Sequence, residues 1–159
     1  MSRTALLSFA IVAALGVTPA LACGGKDKTD GTVAKAPKKA EDGLAEISVA
    51  DLQKKMADKK VTPVVFDANS EKTRSKYGVI PGATLLTSYR EYKTSDVLPK
   101  DKGQELVFYC GSTKCTASDV AAKRAIEAGH KNVKVLRVGI KGWVKEGAKV
   151  NAFKATKQS

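Results

Sequence analysis

The chain alternates between short apolar runs and stretches with helical spacing. Pro63–Asp67 (PVVFD) and Glu105–Tyr109 (ELVFY) are continuous apolar runs, the pattern of strands buried on both faces. Val133–Leu136 reads as another such strand and Glu46–Val49 as a shorter one. Helical segments lie between them. They are Asp51–Asp58, with Ser48 or Asp51 available as its cap, Ser70–Tyr77, stopped by Gly78, and Ala117–Ala128, closed by Gly129. Val79–Ala83 (VIPGA) reads as a turn and Thr84–Leu86 as a short extended piece. Gly139, Gly142 and Gly147 punctuate a final turn around Trp143, and Arg74 is expected on an exposed helix face. Strands alternating with helices predict an α/β domain, a small parallel sheet with helices on both faces. In such sheets ligands bind beyond the carboxyl ends of the strands. Gly111–Thr116 is a loop at such an end, directly after Cys110.

Before Leu44 the pattern is different. Arg3 supplies a short positive start, Ala5–Val17 is apolar, and Ala20-Leu21-Ala22 precedes Cys23. A charged start, a short apolar core and small residues at a cut site predict a secretory signal peptide over residues 1–22. The apolar run is too short to span a bilayer comfortably. Cys23 follows the cut directly, and the segment resembles a bacterial lipobox, whose cysteine becomes the diacylated first residue. The usual Leu three positions before that cysteine is Ala20 here. Cleavage by an ordinary signal peptidase, leaving Cys23 as a free thiol, therefore stays open beside lipidation. Residues 23–43 are small and charged and read as a flexible tether. The expected folded domain is 44–153, with a tail at 154–159. The expected location is the cell envelope, lipid-anchored through Cys23 and facing the periplasm or exterior.

Composition narrows the picture. A hydrophobic content of 43% excludes a wholly disordered chain. The net charge of +12 suits anionic partners: nucleic acid, acidic lipid or small oxyanions. No nucleic-acid module or aromatic platform is present, and export argues against that partner. The Cys110 loop favours small anions. Backbone N–H groups of the loop and of the next helix's first turn have no internal partners, and the helix dipole adds positive charge. A thiolate at Cys110 in that cradle is expected to titrate below the ordinary value of about 8.5. Lys114 adds a full charge. His130 is the single histidine and is expected to pack or cap, since one distant His with two loop cysteines falls short of a zinc site. Trp143 is expected to be a core or lid aromatic.

Several stretches carry a family resemblance. ELVFYC-GSTKCT-ASDVAAKRAIEAG resembles the active-site loop of the rhodanese family, a strand delivering a cysteine into a six-residue loop that leads into a helix. Asp67 resembles the start of the family's D-x-R motif, and Gly78-Val79-Ile80-Pro81-Gly82-Ala83 its G-H-I-P-G-A turn. Ala128–Val133 (AGHKNV) resembles A-G-Y-x-N-V, and Gly139–Gly147 (GIKGWVKEG) the G-G-x-x-x-W-x-x-x-G ending. The resemblance spans residues 44 to about 153 and implies a rhodanese-like α/β fold. It also implies a sulfurtransferase or persulfide carrier. The Cys110 thiolate would take sulfane sulfur from an anionic donor such as thiosulfate and pass it to a thiol acceptor. The amides of Gly111, Ser112, Thr113, Lys114, Cys115 and Thr116 would hold the persulfide and the departing anion, with Asp67 supporting loop backbone. No cofactor or metal is implied.

The departures are specific. Asn69 replaces the motif arginine, Val79 the turn histidine and Ile140 a closing glycine. The last loop position, usually Arg or Lys in active sulfurtransferases, is Cys115, as in a C-x4-C variant of the family. Cys115 is open to three roles: inert loop residue, disulfide partner of Cys110, or acceptor of its sulfur. A thiol–disulfide module using both cysteines, or a non-catalytic binding module, stands beside the sulfurtransferase reading. Phosphatases of this fold have one more loop residue and a closing Arg, which neither Cys115 nor Thr116 supplies.

Overall fold

The computed structural model describes residues 43–58, 60 and 62–155. The expected signal peptide, the lipid-bearing Cys23, nearly all of the tether and residues 156–159 lie outside them. The elements in order are β1 (Ala45–Glu46), α1 (Val49–Ala57), β2 (Val64–Asp67), α2 (Glu71–Tyr77) and β3 (Thr84–Leu85). They continue with α3 (Thr94–Val97), β4 (Leu106–Tyr109), α4 (Ala117–Glu127), β5 (Val133–Leu136) and α5 (Gly139–Lys145). The strands form one parallel sheet ordered β1-β5-β4-β2-β3. The α/β architecture expected from the sequence is therefore the observed one.

Both faces of the sheet are covered, which is why its central strands are apolar throughout. Phe66, Phe108 and Val135 pack on one side with Ala121, Ala122 and Ala125 of α4. The Phe66 and Phe108 rings are cross-strand partners stacked at 4.8 Å. Val65, Val107, Tyr109 and Leu136 pack on the other side against Val49 and Leu52 of α1 and Ile140 and Trp143 of α5. The register sets Asp67, Tyr109 and Leu136 level with one another, so Cys110 emerges at the carboxyl edge of the sheet.

Three local readings change. The first strand occupies Ala45–Glu46, because Ser48 already caps α1, its hydroxyl accepting from Asp51 N at 3.0 Å. The glycine-punctuated turn around Trp143 is helix α5, whose glycines mask an apolar face made by Ile140 and Trp143. The single-turn helix α3 has no legible periodicity, and the buried Tyr92 and Leu98 flank it.

At the opposite edge of the sheet, Glu105 is 3% exposed and lies between Lys55 (2.8 Å) and Lys134 (2.7 Å). Burial pushes its carboxyl up, but the hydrogen bonds and charges of Lys134 and Lys55 outweigh this and hold it below the usual carboxylate range. A depressed folded value stabilises the protein above the unfolded carboxyl's titration, and that contribution is lost as pH falls through the folded value. Glu105→Gln should therefore cost about 2 kcal/mol at neutral pH. Denaturant titrations should show the gap between wild type and variant closing at strongly acidic pH; equal neutral-pH stability would refute the assignment.

Candidate active site

The frame of the site is a buried carboxylate. Asp67, fully buried at the end of β2, accepts from Asn69 N (2.7 Å) and Arg74 Nε (3.2 Å) through Oδ1, and from the Tyr109 hydroxyl through Oδ2. Arg74 Nη2 also donates to the backbone oxygens of Asp67 (3.0 Å) and Leu86 (2.9 Å). Tyr109 in turn accepts from Ile80 N at 3.1 Å. Burial, with the Asp67 charge beside it, pushes the Tyr109 phenol far up, so it remains a proton donor. The network ties together the ends of β2 and β4, helix α2, the 79–83 turn and the chain after β3. Arg74 is thus 6% exposed, contrary to the surface position expected for it. Where Asn69 replaces the motif arginine, a guanidinium arrives instead from α2.

The loop after β4 is held from behind by α5. Ile140 N donates to Cys110 O (2.8 Å) and Lys141 N to Gly111 O (3.2 Å). Gly139 makes this approach possible. Its φ is +62°, and a Cβ there would collide with the Cys110 carbonyl oxygen and lie 2.8 Å from Ser112 N. Within the loop, Cys115 N donates to Ser112 O at 2.9 Å, which curls Cys115 back over Cys110.

The curl gives the two free thiols different surroundings. Cys110 is 1% exposed. Its thiol donates toward the Cys115 carbonyl oxygen at 3.1 Å, and the Ser118 hydroxyl lies 3.2 Å from its sulfur. Burial pushes the Cys110 thiol up, and its contact with Cys115 adds to the rise, against the opposing pull of Ser118. Cys115 is half-buried. Burial pushes its thiol up as well, but the neighbouring Cys110 and the backbone N–H groups of Gly111 and Ala117 prevail and lower it. The lowered titration expected for Cys110 thus falls on Cys115, while Ser118 of α4 supplies the opposing pull at Cys110.

In front of the loop lies a cleft of about 810 Å³. Gly111, Lys114, Cys115 and Thr116 line it, whereas Cys110, Ser112 and Thr113 do not. Opposite stand Lys72, Lys76 and Tyr77 of α2, and Lys141 of α5 closes one end. The Lys76 and Lys141 ammonium groups each lie 5.4 Å from the centre of the Tyr77 ring. No carboxylate is among the lining residues, so the cleft favours anions. Asn69 also lines it, beside Gly111, and its buried Nδ2 has no hydrogen-bond partner.

Asp67 bonds the backbone of Asn69 just after β2, and through Tyr109 and Arg74 it positions the cleft walls; no bond from it to the cysteine loop is seen among the described residues. His130 is buried, with Nε2 3.1 Å from Lys102 Nζ, and Trp143 is a core residue donating to Lys149 O at 2.8 Å. Ser118, Asn69, Lys72, Lys76 and Lys141 join the site beyond the residues expected from the sequence. The spacing of Lys72 and Lys76 on one helix was a usable signal, since side chains four apart share a face. Ser118 and Lys141 gave none, because their approach depends on tertiary packing.

These features define a class: a parallel α/β domain presenting a cysteine loop at the carboxyl ends of its strands. Residues 48–146 match the rhodanese-like domain family, and the chain belongs to it. No curated protein matches the chain. Among solved structures, a Bacillus halodurans protein superposes with a TM-score of 0.55 at 23% identity, covering 71% of this chain and 86% of its own. The rhodanese-like domain of an Anabaena protein gives 0.54 at 18% identity, covering 72% and 85%. A protein of unknown function from Rhodopseudomonas palustris, described as a possible tyrosine phosphatase, gives 0.54 at 22% identity, covering 69% and 86%. At these identities the likeness is one of fold.

Gly139→Ala should cost about 1–3 kcal/mol, because it combines an unfavourable φ with a collision against the loop. It should also speed labelling of Cys110 by thiol reagents. Unchanged stability and unchanged labelling would show that α5 does not lock the loop.

Proposed function

We propose that this domain transfers sulfane sulfur from a small anionic donor such as thiosulfate to a thiol acceptor, using the Cys110–Cys115 site. The observation that carries this reading is the cleft lined by Lys72, Lys76, Lys114 and Lys141, without a carboxylate, in front of two free thiols, the Cys110 sulfur lying 3.1 Å from the Cys115 carbonyl oxygen. A thiolate of the pair attacks the outer sulfur of the donor. The sulfur–sulfur bond breaks, sulfite leaves with its electron pair, and a persulfide remains on the protein. An acceptor nucleophile then takes the outer sulfur and returns the thiolate. The lysines raise the local concentration of the donor and stabilise the departing anion; backbone amides of the 111–117 segment hold the sulfur.

The test is a thiosulfate:cyanide assay on the purified chain. Cys110→Ser/Cys115→Ser should abolish turnover, and Lys114→Ala/Lys141→Ala should raise KM roughly tenfold at low salt, less at high salt. Turnover by the double-serine variant equal to wild type would sink the reading. A second reading, a thiol–disulfide module, is favoured by the two free cysteines meeting in one loop, the Cys110 sulfur against the Cys115 backbone. Mass spectrometry after thiosulfate or oxidant treatment separates them: gain of one sulfur atom marks the persulfide, loss of two hydrogens the disulfide.

The proposal extends to place. The signal-like segment and Cys23 support attachment of the exported chain to a membrane by acylation of that cysteine. Cys23→Ala should move the protein from the membrane to the soluble fraction; unchanged fractionation would count against lipidation.

A further inference from the structure

We propose that Arg137, acting through Asp119, is a positioning residue that keeps the Ser118 hydroxyl on the Cys110 sulfur, where it stabilises the Cys110 thiolate and persulfide. This inference rests on the sulfur-transfer reading, with Cys110 as the attacking thiol. The contact at the sulfur comes first. Ser118 is 2% exposed, and among the described residues its hydroxyl has one hydrogen-bond partner, Cys110 Sγ at 3.2 Å. A buried hydroxyl directs its proton at a partner. The Cys110 proton already points at the Cys115 carbonyl oxygen, 3.1 Å away. Ser118 is therefore the donor and the sulfur the acceptor. Such a bond strengthens when the acceptor is a thiolate or a persulfide anion, so it favours the reactive forms. Burial raises the Cys110 titration, and the pull of Ser118 runs against it, as a donor's should.

Ser118 is not held there by a helix cap. It lies in the first turn of α4, whose N-cap residue, Thr116, makes no side-chain bond to the helix. The first turn of an uncapped helix frays. Asp119, the next residue, supplies a tether instead. Its Oδ2 accepts from Arg137 Nη1 at 2.6 Å, and Arg137 Nε donates to Glu46 Oε1 at 3.1 Å. Arg137 directly follows β5, and Glu46 ends β1, the strand paired with it. The start of α4 is thereby tied to two strands of the sheet. Asp119 is 7% exposed, and its Oδ1 has no hydrogen-bond partner among the described residues, so the carboxylate depends on the guanidinium. Without Arg137, Asp119 would be driven toward solvent and would carry Ser118, one residue before it, off the sulfur.

Charge and position act in opposite directions at Asp119, which makes them separable. A carboxylate near a thiol disfavours the thiolate, so deleting its charge alone would ease deprotonation of Cys110. Deleting the tether would hinder it. The other ionisable groups on the elements around Cys110 are Lys114 and Cys115 of the loop, Lys141 of α5, and Asp67 with Tyr109 at the strand ends. All of these stay unchanged in the variants that follow.

The experiment is the pH profile of Cys110 alkylation by iodoacetamide in the full chain, with mass mapping to separate Cys110 from Cys115. The midpoint reports the proton and the plateau at high pH reports access, so loosening of the loop alone moves only the plateau. Ser118→Ala should raise the midpoint by roughly one pH unit, which slows the reaction about tenfold at neutral pH. Asp119→Ala and Arg137→Met should each raise the midpoint as well. In a Ser118→Ala background, Asp119→Ala should instead lower it, because only the charge effect remains. A lowered midpoint in Asp119→Ala alone, or an Asp119→Ala effect of the same sign in both backgrounds, overturns the inference. So does an unchanged midpoint in Ser118→Ala, which deletes a single oxygen atom and does not depend on the tether variants folding. Loading with thiosulfate provides a separate arm, in which persulfide formation on Cys110 should slow in the same order as alkylation. If thiosulfate loads no form, the sulfur-transfer reading fails, and the alkylation midpoints still decide the positioning role.

Discussion

The site depends on how one buried charge is satisfied. Asp67 lies out of reach of solvent, where an unpaired carboxylate would cost on the order of several kcal/mol. Its oxygens are occupied by a guanidinium, a phenol and a backbone amide, each from a different segment. The chain must therefore bring α2, the end of β4 and the start of the post-β2 loop to one point. Because Arg74 also binds the carbonyl of Leu86, the same charge fixes where the chain leaves β3. Those segments are the walls of the cleft. Charge satisfaction and cleft shape are one constraint.

The cysteine loop sits on this frame under a second restraint, from α5. The loop's first carbonyls are bound by the helix's first amides, and Gly139 permits the contact. With its start pinned, the loop closes on itself through Ser112, and the closure decides which sulfur faces outward. Two residues of identical chemistry thereby become unlike: one is buried with its thiol pushed up, the other half-buried at the cleft with its thiol lowered.

Much of this was legible in the sequence, for identifiable reasons. The central strands announce themselves because both faces of the sheet are covered, so PVVFD and ELVFY leave no other economical burial. The loop's position followed from strand order, and Lys114 could be assigned to it. Burial of Arg74 was not legible, since its helix is short and polar and the carboxylate it meets comes from a separate element. Nor was α5, whose glycines resemble turn punctuation while one of them serves close packing. The unequal burial of the two cysteines accompanies hydrogen bonds from α5 to the loop, and spacing within C-x4-C carries no information about those. The cleft lysines come from α2, the loop and α5, so only the pair at 72 and 76 shared a local pattern.

The position of Arg74 bears on how such domains are compared. Aligned column by column, the chain lacks the arginine of a D-x-R motif, because Asn69 stands there. In space, a guanidinium nonetheless reaches Asp67, carried by the following helix. The side-chain amide of Asn69, unlike its backbone N–H, leaves that carboxylate to the guanidinium, and Asn69 borders the cleft. A motif scored by position would register a loss where the molecule has made a relocation. Divergence in this fold is then better measured by which chemical groups converge than by which residues align.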